Sequence, residues 1–146
     1  MDEIRFFDRM IGYYDERMES LMSPFFEVAL LMDEMPGINQ RAVENIIAEI
    51  GVDMNQFPDE KHLSSWAGIC PGNFESAGKR KGGKSYRGSK WLKTTLVEVA
   101  WAAAHTKNSY FKAQYHRLAA RRGKKRALVA VGHAILMTVY HILKYG

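Results

Sequence analysis

Every stretch of this 146-residue chain with a regular apolar pattern carries it at steps of three and four, and no run alternates at the two-residue period of a half-buried strand. Ile4, Phe7, Ile11, Tyr14, Met18 and Leu21 form one such seam; Phe25, Val28 and Met32 continue it beyond Ser23-Pro24. Val43, Ile46, Ile47 and Ile50 make a second face, closed by Gly51, and Leu92, Leu96, Val99, Ala100 and Ala103 a third. Tyr110, Phe111, Tyr115 and Leu118 mark another helix, and the apolar stretch from Ala127 to Leu143 is the last. An all-α fold is the expectation, with hydrophobic content of 47% enough for one compact core. We divide the chain into linker or coiled-coil helices over 1–35, a helix-hairpin-helix element over 36–52 and a small helical domain over 53–146. In the first division Ser23 reads as the N-cap and Pro24 as the first residue of a new helical segment. Its seam suits a coiled-coil partner, hence a homo-oligomer, or equally the chain's own core.

Charge divides the chain more sharply than its net +5 suggests. Residues 1–60 hold 14 acidic and 4 basic side chains, net −10, and residues 61–146 hold 2 acidic and 17 basic, net +15. So basic a segment repels itself unless it meets a polyanion, and nucleic acid is the natural partner. The single cysteine, Cys70, and the lack of a recognisable secretory pattern point to a reducing, cytoplasmic setting. Ala127–Leu143, interrupted by His133, Thr138 and His141, is short and polar for a bilayer span, so no membrane association is expected.

Six of the twelve glycines fall within residues 68–88, interleaved with Lys79, Arg80, Lys81, Lys84 and Arg87. Such a stretch builds no core, but it lets backbone approach an anion, and its cations can neutralise phosphates; we expect it to be mobile without a ligand. Gly78 and Gly83-Lys84-Ser85 match the phosphate-loop pattern GxxxxGK[ST]. A true phosphate loop comes after a buried strand and opens directly into a helix. Here "CPGNFESA" precedes the pattern and Gly88 breaks the chain soon after it, which argues against a nucleotide hydrolase. Around Pro36-Gly37 the pattern "MPGINQRAVENIIAEIG" looks like a helix-hairpin-helix, whose Gly-containing turn offers N–H groups to a phosphate; an ordinary helical hairpin fits the residues equally. Asn39 stands where that motif often has a second, left-handed glycine. Ser76 sits beside Lys79, Arg80 and Lys81, cations able to stabilise an alkoxide and an attacked phosphodiester, although chemistry alone reads it as a solvated or capping serine.

The combination of "WAGICPGNFESAGK", "GSKWLK" and "RRGKKRA", in this order, resembles the C-terminal transposase domain of the IS116/IS110/IS902-type insertion-sequence transposases, bridge-RNA-guided serine recombinases. The resemblance covers nearly the whole chain. It implies that 53–146 is that transposase domain, that Ser76 is the nucleophile forming a covalent phosphoserine link to DNA, and that strand exchange resolves the link. It also implies that metal-binding acidic residues belong to an N-terminal RuvC-like nuclease domain. This chain begins in the linker helix, so we expect no cofactor of its own, with magnesium confined to that other domain, and nucleic-acid binding without cleavage. DNA, and guide RNA with it, are the expected partners. Lys79, Arg80, Lys81, Lys84, Arg87, Lys90 and Gly37 are the expected contacts to nucleic-acid backbone. The alternative is a non-catalytic nucleic-acid-binding and dimerisation module.

Trp66, Trp91 and Trp101 could stack on bases, but their helical settings favour core packing. The histidines show no metal-ligand spacing, and His133 and His141 read as satisfied, partly buried residues of the last helix.

Overall fold

The computed structural model describes residues 2–70 and 87–146, with the backbone of Glu75–Ser76 and Lys79–Arg80 between them. Helix α1 (Asp2–Met22) runs into a 3-10 turn (Ser23–Phe25) and then α2 (Phe26–Asp33). Next along the chain come α3 (Gln40–Ile50), a 3-10 turn (Met54–Gln56), α4 (Glu60–Trp66), α5 (Lys90–His105), α6 (Tyr110–Arg122) and α7 (Lys124–Tyr145). The all-α expectation holds. Its one exception among the described residues is a two-residue antiparallel ladder, β1 (Glu75–Ser76) against β2 (Lys79–Arg80).

Four helices start for the same reason. Asn39, Asp59, Ser89 and Ser109 each accept, through the side chain, the N–H three residues on: Ala42, His62, Leu92 and Lys112. Each cap satisfies one of the donors a helix leaves unpaired in its first turn. Asn39 is therefore an extended N-cap, with φ −129°, rather than the left-handed residue the motif comparison suggested. At Ser23-Pro24 the chain departs from the expected fresh N-cap. Proline has no N–H for the α ladder, and the backbone tightens into a 3-10 turn whose Ser23 carbonyl accepts the Phe26 N–H, with no side-chain cap.

Helix α7 is the centre of the fold. Its Ala127, Val131, Ile135, Leu136, Val139 and Tyr140 are buried against α2, α4, α5 and α6. It is long and apolar enough to cross a bilayer, yet here it packs as the core helix. Gly132 makes this packing close: a Cβ there would stand 3.2 Å from both the Leu96 carbonyl oxygen of α5 and Ile69 Cδ1. On the opposite edge of α5, Gly37 adopts φ +87°, and a Cβ would fall 2.4 Å from the Ala103 nitrogen and 2.6 Å from the Val99 oxygen. The turn before α3 is thus seated on the α5 backbone, and Ile38, Val43, Ile46 and Ile50 extend the core from there.

Helix α1 contributes no buried residue; Ile4 is 67% and Phe7 61% exposed. Its seam does not fold back on the chain's own core. It is tied to the rest by Met22 at its end, which packs against the core, and by an ion pair from Arg41 on α3 to Asp15, which with Glu44 holds the guanidinium pKa above its ordinary value.

Histidine placement differs in part from expectation. His133 is half-buried on α7, and burial pushes its pKa down; His141 is exposed and stacked on Tyr145. A histidine depressed in the folded state binds fewer protons there than in the unfolded chain, so folding stability falls as pH drops through the unfolded value of about 6.5 toward the lower folded one. Denaturant unfolding should show this loss between about pH 7 and about pH 5, and His133→Leu should flatten it. An unchanged slope would remove His133 as its origin. Gly37→Ala forces both a backbone clash and a left-handed Cβ, so it should cost roughly 2–4 kcal/mol, read from the urea midpoint.

Candidate nucleic-acid interface

The cation- and glycine-rich segment leaves the fold at the end of α4. There Ala67 donates to the Leu63 carbonyl (2.8 Å), Gly68 to Ser65 (3.0 Å) and Ile69 to Ser64 (3.1 Å), with Gly68 at φ +69°. These bonds close the helix in the manner of a glycine C-terminal cap. Ile69, 1% exposed, is seated between α5 and α7 and fixes the departure point.

The returning strand is fixed to the same place. A Cβ on Gly88 would stand 2.2 Å from the Ala67 carbonyl carbon and oxygen and 2.4 Å from the Gly68 nitrogen, so the two backbones lie flush and only glycine fits. Ser89 then starts α5, accepting the Leu92 N–H (3.1 Å) while its hydroxyl donates to Glu49 Oε2 of α3 (2.7 Å). Lys93 Nζ donates to the Gly68 carbonyl (3.3 Å). Entry and exit of residues 71–86 therefore form one neck, held by backbone contact, a cap and two side-chain bonds.

Beyond the neck, the ladder sets Ser76 opposite Lys79 and Glu75 opposite Arg80. The backbone thus brings three of the expected site positions, 76, 79 and 80, into direct register. Lys81 and Lys84, Gly78 and the phosphate-loop match, and the expected mobility of the stretch, lie outside the described residues. Arg87 and Lys90 are exposed on either side of the Gly88-Ser89 neck. Gly37 lies apart from them. It packs against Val99 and Ala103, whereas Ser89 caps the other end of α5, a separation of about 20 Å along the helix at 1.5 Å per residue. The N-terminus of α3 beside it is occupied by its own chain: Asn39 caps Ala42, and Gln40 and Arg41 bond Glu44.

The tryptophans overturn the core-packing expectation. Trp91 is 73% and Trp101 58% exposed, and Trp66 is exposed as well, beside Phe57. Thr94, Glu98 and His105 share the solvent face of α5 with Trp91 and Trp101, and the His105 ring lies 4.4 Å from that of Trp101. This places a large aromatic face next to Lys90, the arrangement that single-stranded nucleic acid uses for base stacking. Among the described residues no three His, Cys, Asp or Glu side chains converge to hold a metal; His62 is occupied with the capping Asp59 (2.7 Å).

Sequence reasoning missed the neck; "GSKWLK" carries the signal only of its local part, a capping serine immediately before an apolar helix.

Residues 29–116 match the family model described as Transposase IS116/IS110/IS902 family. Over 140 residues the chain is 29% identical to the transposase for insertion sequence element IS1111A of Coxiella burnetii (strain RSA 493 / Nine Mile phase I), covering 93% of this chain and 38% of that protein. It is 24% identical over 149 aligned positions to a pilin gene-inverting protein of Moraxella bovis, and to one of Moraxella lacunata, covering 98% of this chain and 46% of each. The chain spans less than half the length of these relatives.

The neck accounts for a stability change that can be measured. Ser89→Ala removes both the α5 cap and the bond to Glu49 and should lower unfolding free energy by about 1–2 kcal/mol. Gly88→Ala should cost more, because backbone has to move. Equal stability of Gly88→Ala and wild type would contradict a closed neck.

Proposed function

The chain belongs to the Transposase IS116/IS110/IS902 family, and from that premise we propose that it is the nucleic-acid-handling region of a DNA recombinase, with Ser76 as nucleophile. The observation that carries this reading is the ladder register, which sets position 76 opposite position 79 and so pairs a hydroxyl-bearing with an ammonium-bearing residue. In the proposed step the Ser76 oxygen attacks a phosphodiester phosphorus. The bond to one sugar oxygen breaks, the serine proton is passed to that leaving oxygen, and a phosphoserine diester remains. Attack on that diester by a sugar hydroxyl of another strand restores a phosphodiester and releases the serine, so no phosphate energy is lost. Lys79, Arg80 and Lys81 supply positive charge where the transition state gains negative charge.

Backbone contacts in this reading come from Lys79, Arg80, Lys81, Lys84, Arg87 and Lys90, by counterion release. The turn at Gly37 is a separate, more distant contact. The names of two relatives suit the same chemistry, because inverting a gene requires strands to be cut and rejoined. Magnesium belongs, in this proposal, to a RuvC-like domain outside these residues, and no step here runs through it. Guide RNA shares the cationic surface with DNA, and a cytoplasmic setting completes the reading.

A second reading, a non-catalytic binding and dimerisation module, is favoured by one observation. The seam of α1 is exposed and matches a coiled-coil repeat, which suits self-association without any chemistry.

One comparison separates the two. The chain is combined with a RuvC-like domain and guide RNA of the same family, and wild type is set against Ser76→Ala. Loss of strand joining to below about one part in a hundred, with DNA affinity kept within about twofold, is the expected outcome. Equal joining by the variant would reject Ser76 as nucleophile and leave the binding module.

A further inference from the structure

From residue 99 to residue 146 there is no Asp or Glu, while Lys107, Lys112, Arg117, Arg121, Arg122, Lys124, Lys125, Arg126 and Lys144 add nine positive charges. Six of these crowd the corner where α6 meets α7. Arg117, Arg121 and Arg122 occupy the last turns of α6, and Lys124, Lys125 and Arg126 the first turn of α7, with Gly123 alone between the helices. All six are exposed, and none makes an ion pair or side-chain hydrogen bond among the described residues.

The arrangement works against the fold's own stability. Cations at the end of α6 suit the negative end of its dipole, but three at the start of α7 face the positive end of that helix. The four capped helices carry a side-chain acceptor at this position; α7 has Gly123, φ +84°, and no side-chain cap. Its first N–H groups have no partner among the described residues and face solvent beside the three cations. Like charges six deep with open donors are a costly way to finish a hairpin, and an extended polyanion relieves both costs together.

We propose that this α6–α7 corner is a second docking surface for the phosphodiester backbone of duplex DNA, distinct from the neck segment, the match to a transposase family favouring DNA as the occupant. The inference rests on the nucleic-acid-binding reading above and adds to it a separate place of contact. Helix α7 fixes the relation of the two surfaces. Lys124 is eight residues from Gly132, where the neck residue Ile69 is seated, or about 12 Å along the axis. One nucleic-acid segment can therefore reach both, or two segments can be held side by side.

The test compares two triple variants of equal charge: Lys124→Gln/Lys125→Gln/Arg126→Gln at the corner, and Lys61→Gln/Lys107→Gln/Lys112→Gln elsewhere. Binding of a duplex DNA of about 20 base pairs and of an RNA hairpin is measured from about 50 to about 200 mM salt, with thermal unfolding confirming that each variant is folded. For the corner triple on duplex, the slope of log K against log[salt] should fall by about 2–3, at about 0.9 per lost phosphate contact, and affinity at low salt by more than about tenfold. The control triple should change the slope by less than about 1. Loss on duplex DNA, with or without loss on the hairpin, supports the corner, whereas loss confined to the RNA hairpin would overturn DNA as its occupant. Equal losses from the two triples would reduce the effect to overall charge and overturn the proposal. Wild-type-like binding by the corner triple would overturn it while leaving the neck segment as the binding site. Failure of the wild-type chain to bind either nucleic acid at low salt would overturn both readings.

Discussion

The crossing of α5 over α7 governs this molecule. Gly132 lets the Leu96 turn of α5 approach the α7 backbone, and Ile69 fills the space beside them. Once α5 is fixed in this way, its two ends are committed. One end receives the turn at Gly37, and the other receives the neck built by Gly88, Ser89 and Glu49. The apolar helices therefore bear on the proposed nucleic-acid chemistry indirectly, by deciding where a polar segment leaves the core and where it returns. In a close-packed interior a shift of a few tenths of an ångström at the crossing is carried to both ends of a rigid helix.

Much of this architecture is legible in the spacing of apolar residues, because helices bury one stripe and expose the other. The stripes at Val43–Ile50 and Leu92–Ala103 are the buried faces observed. Trp91 and Trp101 escape that reading when residue type is weighed above position. At 3.6 residues per turn, Trp101 falls opposite the stripe of Leu92, Leu96, Val99 and Ala103, and geometry outranks average burial. The fate of the α1 seam is not decidable from spacing, since a partner helix and the chain's own core ask for the same pattern. The contacts at the neck are invisible for another reason. Residues 68 and 88, and 49 and 89, meet only after tertiary packing, and no local propensity encodes such meetings.

Charge tells a complementary story. The acidic N-terminal part engages few of the chain's cations: Arg41 on α3 is held by Asp15 and Glu44, while the bases of α6 and α7 form no ion pair among the described residues. In the proposed reading this polarity has a use, since a region that handles DNA strands gains by keeping its positive surface unneutralised.

Because departure and return share a single anchoring point, the helices are indifferent to how many residues are strung between them. Closure entropy grows only with the logarithm of length, each doubling costing about 0.6 kcal/mol. The scaffold can accordingly accept inserts of different size and sequence there while the surrounding framework stays unaltered.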